Sequence, residues 1–191
     1  ADAQGYEERP YDALLDEYEP DERTSNVGDA LSQLREQLVP LVGEIRQSGR
    51  EPDASILGQK FPVGDQEAFC RQAAARIGFD FDRGRLDVTA HPFCCSPGPN
   101  DCRITSRYNE RAFGDAFFSV LHEAGHGMYE QGLPADQYGL PLGEAISLGI
   151  HESQSRLWEN MVARRRACWE PFYPEAQRRV PVALGHGARV G

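Results

Sequence analysis

"LHEAGHGMYEQG", residues 121–132, sets two histidines four positions apart with a glutamate directly after the first. On an α-helix positions i and i+4 share a face about one turn apart, so His122 and His126 can aim imidazole nitrogens at one point. Glu123 is rotated by about 100° from His122 and can reach a water beside a metal ion without ligating the ion itself. Phe113, Phe117, Val120, Ala124 and Met128 fall where the apolar side of a buried helix requires them. Ala124 and Gly125, both small, leave room between the histidines for metal and substrate. The same letters also fit two histidines on a polar helix face, so the pattern needs a third ligand from elsewhere in the chain.

Two sources of that ligand are open. A metzincin takes a third His six residues after the second, a position held here by Gly132, which excludes that class. A gluzincin takes a Glu from a following helix, and "LGEAISLGIHESQSRLWEN" offers Glu144 and Glu152. Glu152 lies 26 residues beyond His126, enough for a turn and a return helix. At helical spacing Ala145, Leu148, Gly149, Glu152, Ser155 and Glu159 share one face, so Glu152 looks inward among small residues. Glu159, two turns on, is placed to orient a ligating histidine.

Around this pair of helices, predicted over roughly 110–131 and 142–166, the chain reads as mostly helical. "YDALLDEYEP" is a short amphipathic helix ended by Pro20. In "TSNVGDALSQLREQLVPLVGEIRQSG", Val27, Leu31, Leu34, Leu38, Leu41 and Ile45 form one stripe of a long helix, capped from Thr24, Ser25 or Asn26 and bent at Pro40. Asp65 can cap a helix that runs through Ile77 and ends at Gly78. "GRLDVTAHPF" and "CRITSRYN", separated by the turn-rich "CCSPGPND", predict a small antiparallel β-hairpin or sheet.

Composition bounds the function. The 191 residues suffice for one domain with a proper core, with 40% hydrophobic and 26% charged residues. A net charge of −10 argues against nucleic acid, since nothing supplies a surface to release phosphate counterions. The basic run Arg164-Arg165-Arg166 fits a helix C-terminus. No apolar run approaches the roughly 20 residues that span a bilayer. Five cysteines, an odd number without regular spacing, point to reduced thiols and a cytoplasmic setting.

In this order and spacing, "HPF" (91–93), "DCRIT" (101–105), "HEAGH" (122–126) and "HESQ" (151–154) resemble the carboxypeptidase Taq family of zinc-dependent carboxypeptidases, a likeness that extends from about residue 10 to 177. The resemblance implies His122, His126 and Glu152 as metal ligands, Glu123 as general base, zinc as the ion (cobalt or manganese also suit such ligands), a peptide substrate and a homodimer. The fold expected is mainly α, a zincin-like (gluzincin) helical core. Family members run to more than twice this length and carry two further C-terminal motifs absent here, one with an Arg before an Ala-Asp pair and one with a Gln-Asp-x-His-Trp run. The chain therefore reads as a single metallopeptidase catalytic-core domain over 1–191, a truncated version of a longer fold. Its tail, 178–191, is atypical.

Other candidates are weaker. His91 with Cys94, Cys95 and Cys102 could form a second zinc site, but adjacent cysteines chelate poorly, and disulfide formation on oxidation suits vicinal thiols better. Arg103 is expected to pair with Asp101 and brace the hairpin against His91. Tyr108 and Tyr138 could stabilise an oxyanion, although tyrosines in helical proteins usually bridge core and solvent. Ser153 and Ser155 near His151 make no serine triad. His186 falls in the tail. The reading is a metal-dependent peptidase, of carboxypeptidase type, that hydrolyses peptide bonds with a metal-activated water. The alternative is a metal-binding fragment of little activity that serves as a binding or dimerisation module.

Overall fold

The computed structural model describes residues 1–52 and 54–179; His186 and most of the predicted tail lie outside them. The chain divides into two compact units, one formed by residues 1–52 with Ile146–Gly149, the other by the described residues from Ala54 onward apart from those four.

The first unit holds α1 (Asp12–Leu15) and α2 (Thr24–Gln47). The predicted long helix is present and runs through Pro40. Its start differs from expectation: the N-cap residue is Arg23 and makes no side-chain cap. The Asp12 carboxylate, brought in by α1, instead accepts from Thr24 N–H at 2.8 Å and from its hydroxyl at 2.5 Å. A carboxylate there meets both an orphan donor and the positive end of the helix dipole, and these bonds hold the Asp12 carboxyl below its ordinary range. The stripe on α2 stays exposed, with Leu31 60%, Leu38 47% and Ile45 59% accessible. Residues 146–149 join this unit through Leu148 N–H to the Tyr18 carbonyl at 2.8 Å, and Glu19 accepts from Gly149 N–H.

In the second unit, α3 (Val63–Ile77) and α4 (Phe113–Gly132) pack together, and α4 also lies on a three-stranded sheet of β1 (Gly84–Val88), β2 (Cys94–Gly98) and β3 (Asp101–Ser106). Gly78 ends α3 with φ 120°, a conformation L side chains rarely adopt. The sheet is mixed, in the order β1-β3-β2. An antiparallel hairpin exists between β2 and β3, while β1 pairs with β3 in parallel, Gly84 opposite Cys102 and Leu86 opposite Ile104. The stretch read as turn, "CCSPG", is itself a strand because its cysteines pair across to Arg103 and Ile104 before an irregularity ahead of Gly98. Strand alternation then sends Cys102 and Ile104 into the core and Arg103 to solvent.

The core joins Phe69, Cys70, Ala73 and Ala74 of α3, Cys102 and Ile104 of β3, and Ala116, Phe117, Val120, Leu121 and Ala124 of α4. Phe117 packs against Trp169 of α6 (Arg166–Trp169) with ring centroids 4.7 Å apart and planes tilted by 41°, and α7 (Tyr173–Arg179) adds Ala176. The apolar face predicted for α4 is therefore the one buried. The second predicted helix is shorter and less regular than its pattern. Residues 141–143 form a single 3-10 turn, and α5 (Leu148–Arg156) runs into a π-helical turn, Leu157–Val162, where Ala163 N–H reaches the Trp158 carbonyl. No helix among the described residues is long and apolar enough to cross a membrane.

Where α4 meets α5 the spacing is set by Gly125. A Cβ there would stand 2.6 Å from Ser155 Cα and 2.7 Å from the Gln154 carbonyl oxygen. Gly125 thus makes room for backbone, not for substrate. In Gly125→Ala the backbone clash should outweigh the ~1 kcal/mol gain in helix propensity and give a net loss of about 2 kcal/mol, within the usual cost of overpacking. Urea unfolding against wild type measures it, and an unchanged midpoint would contradict this packing.

Candidate metal centre

The polar edge of α4 carries His122, Glu123 and His126, and the adjoining turn of α5 carries Glu152. His122 Nε2 is 3.8 Å from Glu152 Oε2, and His126 Nε2 is 3.7 Å from Glu152 Oε1. Ligand atoms of the three residues all lie within 4.8 Å of one another, and among the described residues this is the one group of three or more His, Cys, Asp or Glu side chains that could hold a metal ion. Glu144, the alternative carboxylate, is exposed and outside the group. The donor set fits a divalent ion with imidazole and carboxylate ligands, since three protein ligands leave a position open.

Both histidines turn Nε2 toward Glu152 and commit Nδ1 to other partners. His122 Nδ1 bonds Glu159 Oε2 at 2.8 Å, as the helical spacing predicted, and Glu159 is further held by Arg156 at 3.2 Å and Arg164 at 3.4 Å. His126 Nδ1 bonds His151 Nδ1 at 2.6 Å, and His151 Nε2 reaches Glu130 Oε1 at 2.7 Å. Sequence reasoning gave no role to Glu130 or His151. The signal was present in Glu130 standing one helical turn after His126, and in His151 standing next to Glu152.

Glu123 is 7% exposed. Burial chiefly lifts its carboxyl to about 7, with His122 opposing and the negative charges of Glu152 and Glu159 adding to the rise. Burial likewise depresses His126 to about 4, helped by the neighbouring His151 and His122, which favours the neutral ring that a metal needs. For Glu152 burial pulls upward, but the Ser155 hydroxyl, 3.0 Å away, and the charges of His122, His126 and Arg156 hold it below the ordinary range. A cleft of about 830 Å³ opens over His122 and Glu123, its walls including His91, Arg111, Phe118, Arg156 and Arg164. Arg164 is held over the Phe118 ring at 4.1 Å.

Arg103 pairs with Asp101 at 2.6 Å, and His91 lines the cleft. The cysteines form no metal group with His91. Cys94 and Cys95 point to opposite faces of β2, so the thiol that Cys94 approaches is Cys102, at 3.9 Å. Their hydrogen bond and burial push Cys94 up, and the same bond pulls Cys102 down. Tyr108 is packed against the core with its hydroxyl buried, and Tyr138 donates to the Pro97 carbonyl at 2.8 Å. Neither lines the cleft. Ser155 is buried and bonded to Glu152, and Ser153 bonds the Ile150 carbonyl.

A paired histidine and carboxylate site beside a buried glutamate, on a His-Glu-x-x-His helix, is the arrangement of a metallopeptidase. The chain belongs to the carboxypeptidase Taq (M32) metallopeptidase family, whose model matches residues 1–188. It is 49% identical over 175 residues to thermostable carboxypeptidase 1 of Thermus thermophilus, covering 92% of this chain and 34% of the relative. Carboxypeptidase 1 of Bacillus subtilis is 40% identical over 178 residues, covering 93% and 36%. Among solved structures, the M32 carboxypeptidase of Deinococcus radiodurans superposes with a TM-score of 0.87 at 42% identity, over 92% of this chain and 35% of that one. The Pyrococcus furiosus carboxypeptidase gives 0.85 at 38%, over 94% and 37%. The chain spans about a third of the length of the curated relatives it matches. Family membership implies a divalent metal ion.

Binding at these side chains should stabilise the folded chain. With free zinc or cobalt at a hundred times its Kd, the unfolding free energy should rise by about 2.7 kcal/mol. Thermal or urea unfolding with and without chelator reads the rise, which His126→Ala should remove. An equal rise in that variant would put the ion elsewhere.

Proposed function

We propose that this chain carries the catalytic centre of a metal-dependent carboxypeptidase, with His122, His126 and Glu152 holding a zinc ion (cobalt or manganese as substitutes) and Glu123 as general base. The observation that carries the reading is the approach of two imidazole Nε2 atoms and one carboxylate beside a buried Glu123 whose carboxyl sits at about 7. The names of its relatives supply the substrate class, a peptide cut from its C-terminal end.

When bound, the ion would act as a Lewis acid, polarising the scissile carbonyl and making water a nucleophile near neutral pH. Glu123 takes the proton as water attacks and then passes it to the departing amine. Burial lifts this carboxyl from the ordinary carboxylate range toward the one in which a group can both accept and return a proton near neutral pH. Burial of Glu123 keeps bulk water from competing for that proton. Arg156 and Arg164 on the cleft wall are paired with Glu159, whereas Arg111 on the same wall bonds the Gly58 carbonyl and is the arginine suited to an anionic peptide terminus.

A second reading, metal binding with little turnover, is favoured by one observation: neither Tyr108 nor Tyr138, the two tyrosines the sequence offered as oxyanion donors, lines the cleft. Peptide hydrolysis with zinc or cobalt restored decides between the two. Glu123→Gln, nearly isosteric but unable to accept the proton, should keep the metal and lose at least ~100-fold in turnover. Metal content and rate measured on one sample check this, and equal rates would remove Glu123 from the mechanism.

We also propose a cytoplasmic location, supported by the odd, unevenly spaced set of five cysteines, and a homodimer, supported by the exposed Leu31, Leu34, Leu38, Leu41 and Ile45 on α2. A single helix cannot bury such a stripe by itself. An interface above roughly 1,000 Å² is expected. Sedimentation at micromolar concentration should show a dimer, and a clean monomer overturns the association.

A further inference from the structure

Each candidate ligand histidine leans on a carboxylate, but by different routes. For His122 the route is direct: Glu159 can only accept, so His122 Nδ1 carries the hydrogen and Nε2 keeps its lone pair. For His126 the partner is another imidazole, and two ring nitrogens 2.6 Å apart need one hydrogen between them. Which nitrogen owns it is settled one residue further out. Glu130 Oε1 lies 2.7 Å from His151 Nε2 and, as a carboxylate, fixes the hydrogen on that nitrogen. A neutral His151 then has an acceptor at Nδ1, so the shared hydrogen belongs to His126 Nδ1 and its Nε2, facing Glu152, is left free to coordinate.

We propose that Glu130 and His151 form a hydrogen-bond relay that fixes the tautomer and ring orientation of His126, leaving Nε2 for the metal. The setting is built for that task. Tyr129 meets the His151 ring edge-on, with centroids 4.8 Å apart and planes at 83°, which holds the ring in the plane that serves both bonds. Both relay side chains are largely sequestered, His151 at 17% and Glu130 at 21% exposure, so water competes weakly for their hydrogen bonds. Glu130 comes from the helix that carries His126, and His151 precedes Glu152 on α5. The relay therefore ties the orientation of one candidate ligand to the backbone position of another. His151 is a positioning residue, since it acts through His126.

The inference rests on the metal-site reading for its purpose, but the hydrogen-bond direction is testable without metal. Long-range 1H–15N NMR of the metal-free chain at pH 8 should show His122 and His126 both as the Nδ1–H tautomer and His151 as the Nε2–H tautomer. His151→Asn keeps an acceptor, Oδ1, where Nδ1 stood, and should preserve the His126 tautomer, whereas His151→Ala should leave a mixture. Zinc affinity, by competition with a chromophoric chelator, should fall 10- to 100-fold in His151→Ala, the usual effect of removing such a partner, and recover in His151→Asn. Glu130→Ala should weaken zinc by about tenfold in the wild-type background and have little effect beside His151→Asn, where no tautomer remains to be chosen. A purely packing role would make those two changes additive and leave the His126 tautomer unmoved. An Nε2–H tautomer at His126 in the wild type, or wild-type affinity in His151→Ala, overturns the relay. Wild-type chain that binds no zinc, yet shows the stated tautomers, overturns the metal reading and leaves the hydrogen-bond direction standing.

Discussion

The contact between Gly125 of α4 and the Ser155 backbone of α5 is the constraint on which the site depends. Helices normally stand about 8–10 Å apart because side chains separate them. Here one side chain is missing, and the second helix comes close enough for a short carboxylate to meet two imidazoles. Glu152 has only two methylene groups with which to reach, so an added methyl group at position 125 would act on the carboxylate by displacing the α5 backbone. The same contact buries Ser155, whose hydroxyl then steadies Glu152. The other face of α4 holds the opposite boundary, with Phe117, Val120 and Ala124 fixed in the core. The histidines thus project from a helix clamped between aromatic packing on one side and a backbone on the other.

On that frame, polar groups are arranged in two tiers. The inner tier, two Nε2 atoms and a carboxylate, is the set suited to a cation. The outer tier consists of Glu159, His151, Glu130, Ser155 and Arg156, each bonded to an inner residue or to the partner of one. The π-helical turn begins directly after Arg156 and includes Glu159, so the widened turn lies where an outer acceptor is needed. Negative charge gathered in this way is offset by Arg156 and Arg164 on the cleft side. Glu123 is buried beside these groups, and that burial chiefly raises its carboxyl.

Much of the site was legible in the sequence because helical periodicity is a local code. His122 with His126, Glu123 beside them, and Glu152 with Glu159 seven residues on all follow from residues per turn, and the structure groups them as the spacing implied. Glu130 was equally visible as the residue one turn beyond His126, but its partner comes from another helix and no spacing rule connects the two. The sheet shows the same limit. Strand-forming residues and the Arg103–Asp101 pair could be read locally, whereas the parallel pairing of β1 with β3 could not, since partner choice depends on how the strands meet α4. The cap of α2 was misplaced for the same reason, as its carboxylate is supplied by Asp12 of a different helix.

What the sequence determined by itself, then, was identity and phase: which residue types lie on which face of which helix, and which family they spell. Those depend on covalent order and a fixed residues-per-turn, and survive any packing. The tertiary structure alone decided distances and directions. It brought the Glu152 carboxylate to 3.8 and 3.7 Å from the two imidazoles, turned both Nε2 atoms inward, put His151 between His126 and Glu130, and gave Gly125 to backbone clearance. Each of these depends on how closely two separately formed helices approach, and that separation is set by the side chains each helix lacks at the contact.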